Sequence, residues 1–286
     1  MIFVLSAAIL NFVNVILEKS IFDHQRKRYK IFVPLSFLFS LIVIVMFLVP
    51  FMIIFPSFGA IKKEAFTFVP LLFLFIVIAI SSTRNMLYYS GFQREGISKI
   101  EPFVVFTPLL TVILAGIFYP DERNWIVIAL SIVAAFALIF SHVEKKHLVF
   151  DKGLIPIIAA VILEAVETIF IKDLLRYYSP VAMYGIRVAF VAFVLFLFIK
   201  PNLKKVSKKE YKNLFVVGAL WVAIMVSTYF GYQILGVIDT VLIFMISPVL
   251  MVLGSYLILK EKKIRTKDIV ALVIVLACVV VAQFVK

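Results

Sequence analysis

Apolar stretches of about twenty residues follow one another along almost the whole chain. They fall at about 2–18, 31–56, 66–93, 97–118, 125–142, 154–171, 181–199, 213–235, 238–259 and 269–285. A helix needs about 20 apolar residues to cross the hydrocarbon of a bilayer. Each stretch meets or approaches that length, which predicts ten spans. Strands of an outer-membrane barrel would be about ten residues long and would alternate strictly; these stretches do neither. Of the 286 residues, 64% are hydrophobic and 16% charged. Soluble domains carry roughly 45–50% and about 25%, so a soluble core is excluded and lipid is the solvent. The one cysteine, Cys278, excludes an internal disulfide framework. The first stretch lacks a preceding basic region and is similar to 154–172, so it reads as a retained span and not a cleaved leader. Pro50 and Pro56 predict a tilt or an early end in the second span.

Two repeats are visible. At an offset of 140, Tyr89, Gly91, Gln93, Gly96 and Pro108 fall on Tyr229, Gly231, Gln233, Gly236 and Pro248, and Asp121 falls on Glu261. At an offset of 153, Ala7, Ile9, Leu10 and Lys19 meet Ala160, Ile162, Leu163 and Lys172, while Asn11 and Asn14 meet Glu164 and Glu167. The predicted organisation is a first five-helix repeat (1–142), a linker (143–153) and a second five-helix repeat (154–286). An odd number of spans per repeat inverts the second against the first, an arrangement typical of secondary transporters. The expected fold class is therefore an all-α integral membrane protein with ten transmembrane helices in two inverted repeats.

The charge of +13 would suggest nucleic acid in a soluble protein. Here it reads as loops facing anionic lipid. Loops on one side hold 21 Lys/Arg, among them Arg26-Lys27-Arg28 and Lys204-Lys205; the other side holds 6. The positive-inside rule puts the basic loops in the cytoplasm and both termini outside. The expected location is the cell membrane.

Few polar residues fall inside the spans. Glu164 lies near the middle of the sixth, with Glu167 on the same face at i+3. Acids at that depth are costly and usually line a cavity or carry protons; neutral acids hydrogen-bonded between helices are the plainer alternative. Asn11 and Asn14 hold the matching face of the first helix, and the four side chains are candidates for one central site or for ordinary helix–helix contacts. Arg84 and Arg187 are the two basic residues inside spans. Each can grip a substrate carboxylate, pair with a glutamate, or snorkel. Tyr88, Tyr89, Tyr184, Tyr229, Tyr232 and Trp221 suit an aromatic wall against a ligand or an interfacial belt. Gln93 and Gln233 suit ligand contact or ties between helices. Lys19 and Lys172 are expected to snorkel at helix exits, and Pro108 and Pro248 to kink equivalent helices. His24, His142 and His147 lack metal-ligand spacing. No phosphate-binding loop, metal-binding helix motif or nucleophile elbow appears. The expectation is a protein with no cofactor, metal or enzymatic activity.

Two patterns resemble known families. Thr107-Pro108…Pro120-Asp121 and Ser247-Pro248…Lys260-Glu261 resemble the closing pattern of each half in the drug/metabolite transporter superfamily, in particular its ten-helix EamA-like members. Arg187, seven residues after Pro180, is similar to an arginine of that family. Ile162-Leu163-Glu164 followed by Lys172 resembles the glutamate–lysine motif of the small multidrug-resistance proteins, and Asn11…Lys19 repeats the spacing with an amide. The resemblance implies that Glu164 binds protons and cationic substrate in competition. It also implies cytoplasmic termini, opposite to the Lys/Arg count, which is followed here. The combined expectation is a proton-coupled exporter of a small organic solute such as an amino acid, another metabolite or a cationic drug. It would work as a monomer in the bilayer by alternating access, with no nucleic-acid partner. The alternative is a proton-independent facilitator or exchanger of organic anions or zwitterions.

Overall fold

A computed structural model describes residues 1–23, 29–94, 103–104, 106–142, 154–201, 203, 206–248, 250 and 266–285. Gly96, His24, His147, Glu261 and the side chains of Lys19, Gln93 and His142 lie outside the described residues. The elements are α1 (Ile2–Asp23), α2 (Tyr29–Val43), α3 (Val49–Ile54), α4 (Phe68–Arg94), α5 (Phe106–Phe118), α6 (Trp125–His142), α7 (Ile155–Leu174), α8 (Pro180–Ile199), α9 (Lys208–Ile234), α10 (Val237–Phe244) and α11 (Thr266–Phe284). No strand occurs among the described residues; Ile61 and Tyr178 form one isolated antiparallel bridge. Among the described residues, four apolar helical stretches have the length to cross a bilayer: Lys30–Ile54, Phe68–Gly91, Pro180–Ile199 and Glu210–Ile234. Five more apolar helices are shorter. Large apolar side chains such as Phe47, Phe75, Phe140, Phe193 and Phe198 face outward. That surface suits hydrocarbon and would aggregate in water.

Local chemistry explains the breaks. A π-helical turn, Ile44–Leu48, joins α2 to α3. Pro50 follows it at once and has no N–H for the carbonyl four residues back, so the helix widens there. α3 stops before Pro56, which opens a 3-10 turn. Ser179 caps α8 by accepting from the Ala182 N–H at 3.3 Å, with Pro180 at the first helical position. Ser207 and Glu210 form a reciprocal capping box at the start of α9. Serines and threonines inside the bundle donate to carbonyls one turn back, for example Ser131 to Val127 (2.8 Å) and Thr228 to Ile224 (2.8 Å). These bonds satisfy hydroxyls that would otherwise be bare in lipid; Thr107 Oγ1 is a buried exception.

α4 packs along α7 and α1 along α9. α6 lies on α11, α2 lies on both α8 and α9, and α5 touches α7 and α10. Two glycines permit the closest crossings. A Cβ at Gly218 of α9 would stand 2.8 Å from the Ser40 backbone nitrogen and 3.0 Å from the Phe39 carbonyl carbon of α2. Ser40 uses the approach to donate to the Gly218 carbonyl at 3.2 Å. A Cβ at Gly231 would overlap Val4 of α1 and Thr240 of α10. Contacts between small residues drive such packing in membranes, where lipid competes for every apolar face.

Gly218→Ala must push two backbones apart, because the obstructing atoms are main chain. The expected cost is about 1–3 kcal/mol, read as a lowered melting temperature in detergent. Ala at Gly116, which would meet only the tip of Ile128 at 3.3 Å, should shift the melt far less.

Candidate functional site

α4 presents Ser81, Arg84 and Asn85 on one face, and α7 presents Glu164 and Glu167 on the face packed against it. α8 brings Tyr184 and Arg187 from one side, and α9 brings Tyr229. The result is a four-charge cluster. Arg187 Nη2 lies 2.6 Å from Glu167 Oε1 and Arg84 Nη1 lies 3.1 Å from Glu164 Oε1. Arg84 Nε stands 3.4 Å from Glu167 Oε2, an ion-pair contact without hydrogen-bond geometry. Ser81 donates to Glu167 Oε1 and accepts from Arg187 Nε at 2.7 Å. Arg187 Nη1 donates to the Tyr229 hydroxyl at 3.1 Å. Tyr184 packs edge-on to Tyr229 at 5.9 Å, and Tyr232 stacks on Tyr229 at 6.2 Å.

Two acids and two guanidinia balance each other, which is how ionised groups survive away from water. Burial divides their roles. The Glu167 side chain is 2% exposed and that of Arg187 4%, whereas Arg84 is 15% and Glu164 41% exposed. Glu167 and Arg187 form a fixed centre; Glu164 and Arg84 form the reachable edge. Both arginines therefore pair with glutamates and do not snorkel.

The amides of α1 go elsewhere. Asn11 Nδ2 donates to Ser247 Oγ at 2.9 Å. Asn14 Nδ2 donates to Glu18 Oε1 at 3.1 Å, and Trp221 Nε1 donates to the same oxygen at 2.8 Å. Among the described residues no hydrogen bond or ion pair joins this group to Glu164 and Glu167, whose partners are Arg84, Arg187 and Ser81. Gln233 Nε2 donates to the Leu175 carbonyl at 3.1 Å, tying α9 to the end of α7. Pro108 falls in the first turn of α5, where a missing N–H costs little. α10 ends at Phe244, whose carbonyl Pro248 cannot serve, and helix resumes after a turn at Met245. Tyr88 and Tyr89 pack edge-on at 5.3 Å. A cavity of about 370 Å³ opens between α2, α4 and α8; Lys30, Asn85, Tyr89, Ser90 and Phe198 line it.

The other end of the bundle is tied shut. Glu122, after α5, pairs with Lys172 of α7 at 2.8 Å and accepts from the Val237 N–H that starts α10 at 2.6 Å. Lys172 also donates to the Tyr232 carbonyl, so it closes a contact instead of snorkelling. Gly236 has φ +91°, and a Cβ there would stand 2.6 Å from the Glu122 carboxylate. Tyr119 donates to the Ile169 carbonyl at 2.6 Å, and Tyr178 to the Ala65 carbonyl at 3.1 Å. Burial pushes both phenols up, so they remain donors at any physiological pH. The Lys62 N–H and Ser179 N–H bond across the 56–66 and 175–179 segments.

Sequence reasoning missed Glu18, Ser81, Glu122 and Ser247. Glu18 had a signal, since it follows Asn14 at i+4. Glu122 had one too, beside Asp121, but Asp121 is exposed and the contacts fall to its neighbour.

Comparison with known proteins agrees with this class of architecture, an all-helical multi-pass membrane protein. Residues 151–283 match the EamA-like transporter family model. The match supports the resemblance to the drug/metabolite transporter superfamily and, with it, a non-enzymatic membrane transporter of small solutes. No curated protein matches the chain. A solved structure called only "Crystal structure of protein" covers 98% of this chain and 96% of its own, with a TM-score of 0.69 and 15% identity. At that identity the likeness concerns the fold alone.

Arg187→Leu strands Glu167 in the centre of the bundle. Breaking a buried pair costs about 3–5 kcal/mol, so the variant should melt well below wild type. Arg187→Leu combined with Glu167→Leu should recover most of that loss. A double variant no better than the single would contradict the pairing. Gly236→Ala should cost about 1–3 kcal/mol, because its backbone region is nearly glycine-only; the same thermal melt reads it.

Proposed function

We propose that the chain is a secondary active transporter that moves a small organic solute by alternating access, coupled to protons at the Glu164–Arg84 edge. The observation that carries this is the reachable ion pair, with Glu164 41% exposed and 3.1 Å from Arg84, on a deeply buried Glu167–Arg187 base. A proton on Glu164 releases Arg84. A solute ammonium takes the proton's place at Glu164, and a solute carboxylate meets Arg84. A zwitterion of amino-acid type satisfies both poles at once. A purely cationic solute must compete with Arg84 for the acid.

The two halves act as inverted five-helix repeats. Supporting this, the α4–α7 packing has its counterpart in α9–α1, α5–α7 in α10–α1, and α2–α9 in α8–α4. Each half contributes to the polar cluster, so one chain suffices. With the basic loops in the cytoplasm, the end tied by Glu122, Lys172 and Val237 is extracytoplasmic and the cavity beside Lys30 and Ser90 faces inward. Export is the direction that the family resemblance favours.

A second reading rests on the arginines: a proton-independent facilitator or exchanger of organic anions or zwitterions, anchored by Arg84 and Arg187. Proteoliposome flux of an amino-acid panel under an imposed pH gradient separates the two. Proton coupling predicts gradient-driven wild-type flux, and at least a tenfold weaker response to the gradient in Glu164→Gln. Wild-type flux indifferent to the gradient, but lost in Arg84→Met, would transfer the case to the second reading.

A further inference from the structure

Asn14 differs from the ion-pair cluster, where Arg84 stands 3.4 Å from the unbonded Glu167 Oε2. It is fully buried, its Nδ2 is spent on Glu18 Oε1 at 3.1 Å, and its Oδ1 has no hydrogen-bond partner. A buried amide oxygen without a donor costs about 1–3 kcal/mol. Glu18 is unusual in the opposite sense. The donors that reach it among the described residues, Asn14 Nδ2 and Trp221 Nε1, are neutral and fall on Oε1. Among the described residues no cation pairs with it. A carboxylate within the bundle is stabilised poorly by two neutral donors.

One proton resolves both faults. On Glu18 Oε2 it removes the charge and turns an acceptor into a donor. Asn14 and Glu18 then close a ring of two hydrogen bonds, amide N–H to carboxyl C=O and carboxyl O–H to amide C=O. We propose that Glu18 and Asn14 form a second proton-binding site, in the first half, separate from the Glu164–Arg84 pair. Trp221 holds the carboxyl group in place by its bond to Oε1, leaving Oε2 for the proton.

The surroundings allow this. α9 faces Glu18 with the non-titrating Trp221. α10 carries Asp239, but Thr240 meets Gly231 at the level of Val4, about 21 Å along α1 from Glu18. From α4, Tyr89 lies near Glu18, Tyr88 and Arg84. The Lys19 side chain and residues 24–28 lie outside the described residues. Tyr89 and Trp221 belong to one packed cluster with Val33 and Met86, and Val33, Met86 and Tyr89 line the 370 Å³ cavity. A proton arriving from that cavity has Tyr89 between it and Glu18. As a coupling step the site rests on the transporter reading; as a proton site it does not.

The test uses the full chain in detergent, without solute. Infrared difference spectra between pH 5 and pH 9, taken in a Glu164→Gln background so that the other proposed proton site is silent, should show a protonated-carboxyl band at low pH that disappears at high pH. The band should be absent from Glu18→Gln and shifted in Asn14→Ala, which removes the acceptor. Glu18→Gln keeps the shape and a donor toward Asn14 Oδ1, so it should melt near wild type. A Trp125→Phe background leaves Trp221 as the single tryptophan. Its emission should titrate with the same midpoint and lose that titration with Glu18→Gln. A carboxyl band unaffected by Glu18→Gln, or one unchanged from pH 5 to pH 9, overturns the proposal. Absence of solute flux in liposomes would instead count against the transporter reading and leave the proton site standing.

Discussion

Glu167 meets Arg187 at 2.6 Å in a setting where each is almost wholly buried, and this pair sets what the rest of the bundle must do. Removing either partner leaves an ionised group among apolar helices, which costs several kcal/mol. The pair is held by Ser81 of α4 and Tyr229 of α9 as well, so four helices are fixed relative to one point. Three of them, α4, α8 and α9, also make close contacts elsewhere, including the Gly218 crossing with α2. Helix packing in lipid has little hydrophobic drive of its own. A satisfied polar centre combined with small-residue crossings is a sufficient substitute.

Around that fixed centre the mobile chemistry lies at the edge. Glu164 and Arg84 are the more exposed pair, and Arg84 also stands 3.4 Å from Glu167 Oε2. On the proposed reading, a proton or solute that takes Glu164 frees one of the two contacts of Arg84 and leaves the Glu167–Arg187 pair in place. The two ends of the bundle differ in the same sense. One is bound by Glu122, Lys172, Gly236 and the loop contacts of Tyr119 and Tyr178; the other holds an open cavity. On the proposed transporter reading, a carrier in one access state would have this asymmetry, and the counterpart packings of the two halves would supply a route to the mirror state.

Much of this was legible before any coordinates. The apolar runs marked the helices because twenty such residues in succession have one stable conformation in lipid. Pro50 and Pro56 mark an irregularity in the second span; that it takes the form of a π-helical turn at Ile44–Leu48 is not legible in them. Partnerships were not legible, because they depend on register between distant segments. Arg84 and Arg187 stand about 80 and 20 residues from the glutamates they meet, and nothing local distinguishes pairing from snorkelling. Depth in the span and the Glu164…Lys172 spacing both favour Glu164 over Glu167 in the sequence; burial gives them different structural roles, with Glu167 at the centre and Glu164 at the rim. Glu18 was overlooked because the apolar run ends there, where a charge is unremarkable. The helix, however, continues to Asp23, which keeps Glu18 inside the bundle against Trp221.

The central claim is that the tied end and the open end exchange roles as the halves move. Spin-label distances test it directly in a Cys278→Ala background. One label pair at Arg123 and Ile234 spans the tied end, and another at Ser90 and Lys200 spans the mouth of the cavity. Cycling pH and solute should lengthen the first distance while shortening the second. Two distances that stay fixed, or that change in the same direction, would contradict alternating access.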